Sequence, residues 1–90
     1  MLLDPTFPQA VSNLGLLYVR TGKLDLAERN LNEALRLEPR SGETYARLGE
    51  LALARGDRAR AVSLFKQALA LHPENKRATE GLVALQQAGK

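Results

Sequence analysis

Residues 14–39, LGLLYVRTGKLDLAERNLNEALRLEP, return thirty-four positions later as residues 48–73, LGELALARGDRARAVSLFKQALALHP. Leu14, Gly15, Leu17, Gly22, Ala27, Ala34, Leu35, Leu37 and Pro39 are matched by Leu48, Gly49, Leu51, Gly56, Ala61, Ala68, Leu69, Leu71 and Pro73. The matched residues are leucines, small residues and a helix breaker, the classes that fix helix packing and turns. A fixed period of this length marks one supersecondary unit used repeatedly. Stacked copies, each leaning on its neighbour, form a solenoid rather than a single globule.

Within the period the apolar positions fall on helical faces. Ala10, Val11, Leu14, Leu17 and Tyr18 are spaced by threes and fours, and Gly22-Lys23 breaks the run. Leu24, Ala27, Leu31, Ala34 and Leu35 make a second stripe, which ends at Pro39 because proline has no N–H for the helix and disfavours helix in the residue before it. The next unit repeats the plan with Tyr45, Leu48, Leu51 and Ala52, a turn at Gly56-Asp57, then Ala61, Leu64, Phe65, Ala68 and Leu69, stopped by Pro73. Ala78, Leu82 and Leu85 predict a fifth helix from about Lys76 to Gln87. Leu3 and Pro5 stand one period before Leu37 and Pro39, so residues 1–7 read as the remnant of a preceding repeat or linker. The expected organisation is units over 8–41 and 42–75 and a capping helix, a partial third unit, over 76–90.

Composition agrees with an all-helical chain. Leu, Ala, Arg, Glu and Lys are strong helix formers, whereas β-branched residues are few. At 90 residues there is no room for an elaborate catalytic domain with a lid and a substrate domain. The net charge of +3 would draw acidic partners only mildly, and a dedicated nucleic-acid binder carries a denser basic cluster. The absence of cysteine excludes disulfides and thiolate metal sites, and leaves the compartment open. Met1-Leu2-Leu3-Asp4-Pro5 does not read as a signal peptide, and no segment approaches membrane-spanning length. Cytoplasmic placement is the favoured expectation, with a periplasmic site or a larger exported parent protein left open.

These positions resemble the tetratricopeptide repeat, a helix–turn–helix unit of the same period. With units starting at Pro8 and Gly42, the family's first-helix signature falls on Val11, Leu14, Gly15 and Tyr18, then on Tyr45, Leu48, Gly49 and Ala52. The second-helix signature falls on Ala27, Leu31, Ala34 and Pro39, then on Ala61, Phe65, Ala68 and Pro73. Val11 and Leu31 replace aromatics and Ala52 replaces a tyrosine, all apolar departures. The resemblance implies an all-α fold, an α-solenoid of antiparallel helix–turn–helix repeats with two full units plus a C-terminal capping helix. Gly15, Gly49, Ala27 and Ala61 are small where the helices of a hairpin must meet, and larger side chains there would overpack by about 1–3 kcal/mol. Leu31 and Phe65 are expected to fill the space between hairpins.

In this family the first helices line a concave groove whose outward positions contact ligands. Carried over by repeat position, these are Gln9, Ser12, Asn13, Leu16 and Arg20, then Glu43, Arg47 and Glu50, then Arg77, Glu80 and Ala84. None belongs to the apolar stripes, so none is expected in the core; the competing reading is a solvated helix face. Some members hold a partner's terminal carboxylate with lysine, asparagine and arginine. Asn13 and Arg47 fit two such positions, but Glu43 stands where a lysine is wanted and would repel that ligand, so the clamp is expected to be missing.

Catalysis finds no support. His72, the single histidine, precedes Pro73 at a helix end and joins no constellation with Ser12, Ser41 or Ser63. Asp4, Asp25 and Asp57 sit near turns without metal-ligand spacing, and there is no glycine-rich phosphate loop. The expectation is therefore a non-enzyme without metal or cofactor. Its partner would be a protein or peptide held in the groove. The alternative is the chain itself, through end faces that leave Val11 and Tyr18 uncovered. Nucleic acid, through Arg55, Arg58 and Arg60, is the weakest reading, since no aromatic stacking platform accompanies them and Phe7, Phe65, Tyr18 and Tyr45 are expected to be mostly accounted for by packing.

Overall fold

Helices α1 (Pro8–Arg20), α2 (Leu24–Leu37), α3 (Gly42–Ala54), α4 (Arg58–Leu71) and α5 (Lys76–Ala88) carry the chain in a computed structural model, which describes residues 7–88. Among the described residues there is no strand. The expectation for the extreme amino terminus lies outside the described residues, apart from Phe7. Helices α1, α3 and α5 start at Pro8, Gly42 and Lys76, one period apart.

The turns inside the hairpins have a local cause. Gly22 and Gly56 take φ of 78° and 80°, the left-handed region that a Cβ disfavours. Beside Gly22, the Lys23 N–H donates to Tyr18 O at 2.8 Å and the Gly22 N–H to Val19 O at 3.2 Å; Asp57 and Gly56 repeat this onto Ala52 and Leu53 at 2.8 and 3.0 Å. Both ends are Schellman motifs, which satisfy carbonyls left over by the last helical turn. The starts of α3, α4 and α5 are capped from the side chain, whereas α2 follows Lys23 with no side-chain cap. Asp57 Oδ1 accepts from Arg60 N at 3.1 Å, Ser41 Oγ from Thr44 N at 3.1 Å, and Asn75 Oδ1 from Ala78 N at 2.8 Å. Helix α1 instead has proline at its start, which has no N–H and so needs no acceptor there.

Helices α1 and α2 pack as one hairpin and α3 and α4 as a second, while α5 packs on both α3 and α4. The α1, α3 and α5 helices thereby form one layer, with α2 and α4 behind it. Ala27, Leu31, Ala34, Ala61, Phe65 and Ala68 are fully buried between the layers. A Cβ on Gly15 would stand 2.7 Å from Leu31 Cδ2, and one on Gly49 2.5 Å from Phe65 Cε1. The small residues in α1 and α3 are therefore what let these side chains reach the centre. Phe65 also has Gly81 of α5 on its other flank, where an added Cβ would collide with the ring. In the first hairpin the same two positions hold Leu31 and Arg47. A smaller core residue goes there with a larger residue on the open face.

The end of the stack differs from expectation in detail. Val11 is buried and Tyr18 packs against the core, so neither is left uncovered. Leu17 is the residue left open, at 54% exposure, whereas Leu51 at the same repeat position is at 4%. Packing of α2 against α3 accounts for the difference, since nothing described precedes α1 in that way.

Candidate peptide-binding groove

The open face of the α1–α3–α5 layer brings together side chains that lie about a period apart in sequence. Helix α1 contributes Gln9, Asn13 and Arg20, all exposed, and the half-buried Leu16. Glu43, Arg47 and Glu50 come from α3, and Arg77 and Glu80 from α5. Two shallow hollows run along this face. One, of about 400 Å³, is lined by Gln9, Ser12, Glu43, Arg47 and Asn75 among others, with Glu38 and Glu74 from the connecting loops. The other, of about 570 Å³, is lined by Arg20, Glu43, Glu50, Arg77, Glu80 and Gly81, with Phe65 beneath.

Arg47 departs from its expected role as an exposed contact. It is 8% exposed, packed between α1 and α3, and it belongs to the core as well as to the face. Its Nη1 donates to Ser12 Oγ at 2.9 Å and to Asn13 Oδ1 at 2.7 Å. Thr44 Oγ1 donates to the same Ser12 Oγ at 3.3 Å, and both hydroxyl residues are buried. A buried guanidinium survives because these acceptors replace its water. Burial pushes Arg47 below the usual arginine range, and the nearby Glu43 carboxylate opposes that shift. The three-methylene stem of arginine can pack while the head stays polar, which an apolar-stripe reading does not register.

Arg77 is tied in the same manner. Its Nη1 donates to Glu50 Oε2 at 2.9 Å and to Oε1 at 3.1 Å, linking α5 to α3. Glu43 lies between the arginines, with Oε1 at 3.5 Å from Arg77 Nε and Oε2 at 3.7 Å from Arg47 Nη2. Asn75 Nδ2 donates to Glu43 Oε1 at 3.2 Å. Asn75 thus caps α5 and binds the face at once, a role the sequence reading missed. Its place one period after the N-cap Ser41 was the available signal.

The arginines at the other edge are engaged in packing. Arg55 Nη2 meets Asp25 Oδ1 and Glu28 Oε1, both at 3.0 Å, clasping α3 to α2. Arg58 Nη2 donates to Leu85 O at 3.1 Å, satisfying a carbonyl in the last turn of α5. Arg60 remains exposed. His72 packs against Gly42 and stands 3.9 Å from Glu74 Oε1.

The profile of the tetratricopeptide repeat matches residues 9–74, which take in both hairpins. The chain belongs to the tetratricopeptide repeat family. Among relatives of this repeat chain, BBSome complex member BBS4 of Bos taurus is 38% identical over 76 residues, 82% of this chain and 14% of that protein. Small glutamine-rich tetratricopeptide repeat-containing protein 2 of Mycosarcoma maydis is 28% identical over 82 residues, 91% of this chain and 23% of that protein. The repeat chain therefore spans less than a quarter of the length of these relatives. A solved structure described as the first TPR of Spaghetti (RPAP3) bound to the HSP90 peptide SRMEEVD superposes with a TM-score of 0.81 at 30% identity, covering 94% of this chain and 68% of that one.

Proposed function

We propose that this tetratricopeptide repeat is a protein-interaction module that holds an extended segment of a partner protein along the open face of α1, α3 and α5. The observation that carries the reading is a pair of hollows on the first-helix layer of a fold whose solved relative holds a peptide. An extended peptide needs a long, shallow, mixed-polarity surface rather than an enclosed cavity, and this face has that form. Gln9, Leu16, Arg20 and Glu80 are the side chains free to touch it, with Glu43 and Glu50 between them. Asn13, Arg47 and Arg77 hold the helices in register beneath. In the same reading, residues 8–41 and 42–75 are the two units and 76–90 closes the stack.

The test is a peptide library displayed against the folded chain, followed by amide shift mapping of a captured peptide. Shifts centred on Gln9, Leu16, Arg20 and Glu80, and loss of capture in Arg20→Ala with Glu80→Ala, are the expected outcome. Shifts confined to α2 and α4, or capture unchanged in that double variant, would sink the groove assignment.

A further inference from the structure

Both arginines at the centre of the open face have short hydrogen bonds from within the chain, but only Arg77 has a carboxylate among them. Arg77 has the two oxygens of Glu50, and Arg47 has Ser12 and Asn13 on one nitrogen. Glu43 is a different case, because it completes neither pair at close range. Its oxygens are 3.5 Å from Arg77 Nε and 3.7 Å from Arg47 Nη2, and among the described residues its one short side-chain contact is the Asn75 amide at 3.2 Å. One carboxylate is thus faced by two guanidinium groups and an amide from two helices and a loop, the surroundings in which a protein receives a carboxylate from outside. Neither Arg47 Nε nor Arg77 Nε has a hydrogen-bond acceptor among the described residues. Both nitrogens are buried, so this unused donor capacity opens to an outside acceptor only where Glu43 gives way.

We infer that Glu43 is a built-in counter-ion that occupies the groove's carboxylate position and sets the groove's preference against acidic segments. The inference rests on the groove reading for its consequence, though not for its geometry. Glu50 cannot serve this purpose, because its two short bonds to Arg77 make it a tie between α3 and α5. Glu43 has longer contacts and a side chain 46% exposed, so solvent and ligand both reach it. An incoming carboxylate meets a like charge before it meets either arginine. Glu38 and Glu74 on the rim of the same hollow add to the repulsion. The segment this face accepts is accordingly neutral or basic where it passes Glu43.

The experiment follows the side-chain Nε–H resonances of Arg47 and Arg77 in the full chain, titrated first with acetate and then with the peptide SRMEEVD. Wild type is compared with Glu43→Gln and Glu43→Ala. Glu33→Gln is the control, because it removes one negative charge from the exposed side of α2. In either Glu43 variant both resonances should shift saturably, with an affinity for acetate and peptide at least about tenfold above wild type. Glu33→Gln should stay within about twofold of wild type. Equal saturation in wild type, an equal gain in Glu33→Gln, or unmoved arginine resonances in both folded Glu43 variants overturns the inference. Far-UV circular dichroism confirms that the variants are folded. Acetate that discriminates while no peptide binds the face would leave Glu43's role standing and remove the groove reading. Neutral peptides that bind while the Glu43 variants gain nothing would do the reverse.

Discussion

Replacing Gly81 by alanine should destabilise the protein, although alanine is the better helix former by about 1 kcal/mol. The reason is Phe65, which is fully buried with glycine on both sides. A Cβ on Gly81 would lie 2.9 Å from the ring's Cε1, with Cζ and Cε2 closer still. The ring cannot withdraw, because a Cβ built on Gly49 would be 2.5 Å from the same Cε1, which places that helix hard against the opposite flank. Overpacking of this kind costs about 1–3 kcal/mol, so the net loss in Gly81→Ala is about 0–2 kcal/mol. In a Phe65→Leu background the ring is gone, and the same change should become stabilising by about 1 kcal/mol. The coupling between the two sites is then about 1–3 kcal/mol, within the range expected of residues in contact. A chain of this length has a total stability of about 5–13 kcal/mol, so the variants remain foldable and a urea titration followed at 222 nm can resolve them. If Gly81→Ala stabilises equally in both backgrounds, the ring does not limit that position and the packing argument fails.

Two further outcomes follow from the same structure. Leu51→Ala should cost about 2–5 kcal/mol in urea unfolding, whereas Leu17→Ala, at the equivalent position but without a covering helix, should cost less than about 1 kcal/mol; equal losses would mean that α1 is covered as α3 is. Side-chain carboxyl titration by NMR should find Glu33 below its ordinary value of 4.5, chiefly because Arg36 hydrogen-bonds to it, with burial opposing slightly and the arginine's charge adding to the drop. A depressed carboxyl stabilises the fold above its unfolded pKa and loses that contribution as pH falls through the folded value. Arg36→Ala should therefore return Glu33 to its ordinary range, and a Glu33 unmoved by that change would show that the pair is not formed in solution.

The helices were legible because their causes are local. Gly22 and Gly56 end the first helix of each hairpin, Pro39 and Pro73 lie just beyond the second, and the apolar spacing between them is helical throughout. The residues of the open α1–α3–α5 face were named from the family resemblance by repeat position, and the apolar stripes only excluded them from the packing face. What the stripes could not reveal is how that face spends its charges. Periodicity classes Arg47 as outward because it is charged, and says nothing of Ser12 and Asn13 waiting on the adjacent helix. Leu17 misled in the opposite direction: its place in the stripe is sound, but burial requires a neighbouring helix that a single stripe cannot supply.

The repeat register nevertheless held the missing information. Residues one period apart lie side by side on adjacent first helices, as Asn13 and Arg47 do at 2.7 Å and Glu43 and Arg77 do at 3.5 Å. Other contacts depart from the period: Arg47 reaches Ser12, next to its counterpart Asn13, and Arg77 reaches Glu50, two helical turns from its counterpart Glu43. Aligning the units by charge as well as by apolar pattern would therefore have placed an acceptor beside each central arginine. The net charge of +3 suggested a surface that attracts acids. Counted by register, Arg77 is balanced by Glu50 and Arg47 by Glu43, and of these four charges Glu43's is the one held most loosely.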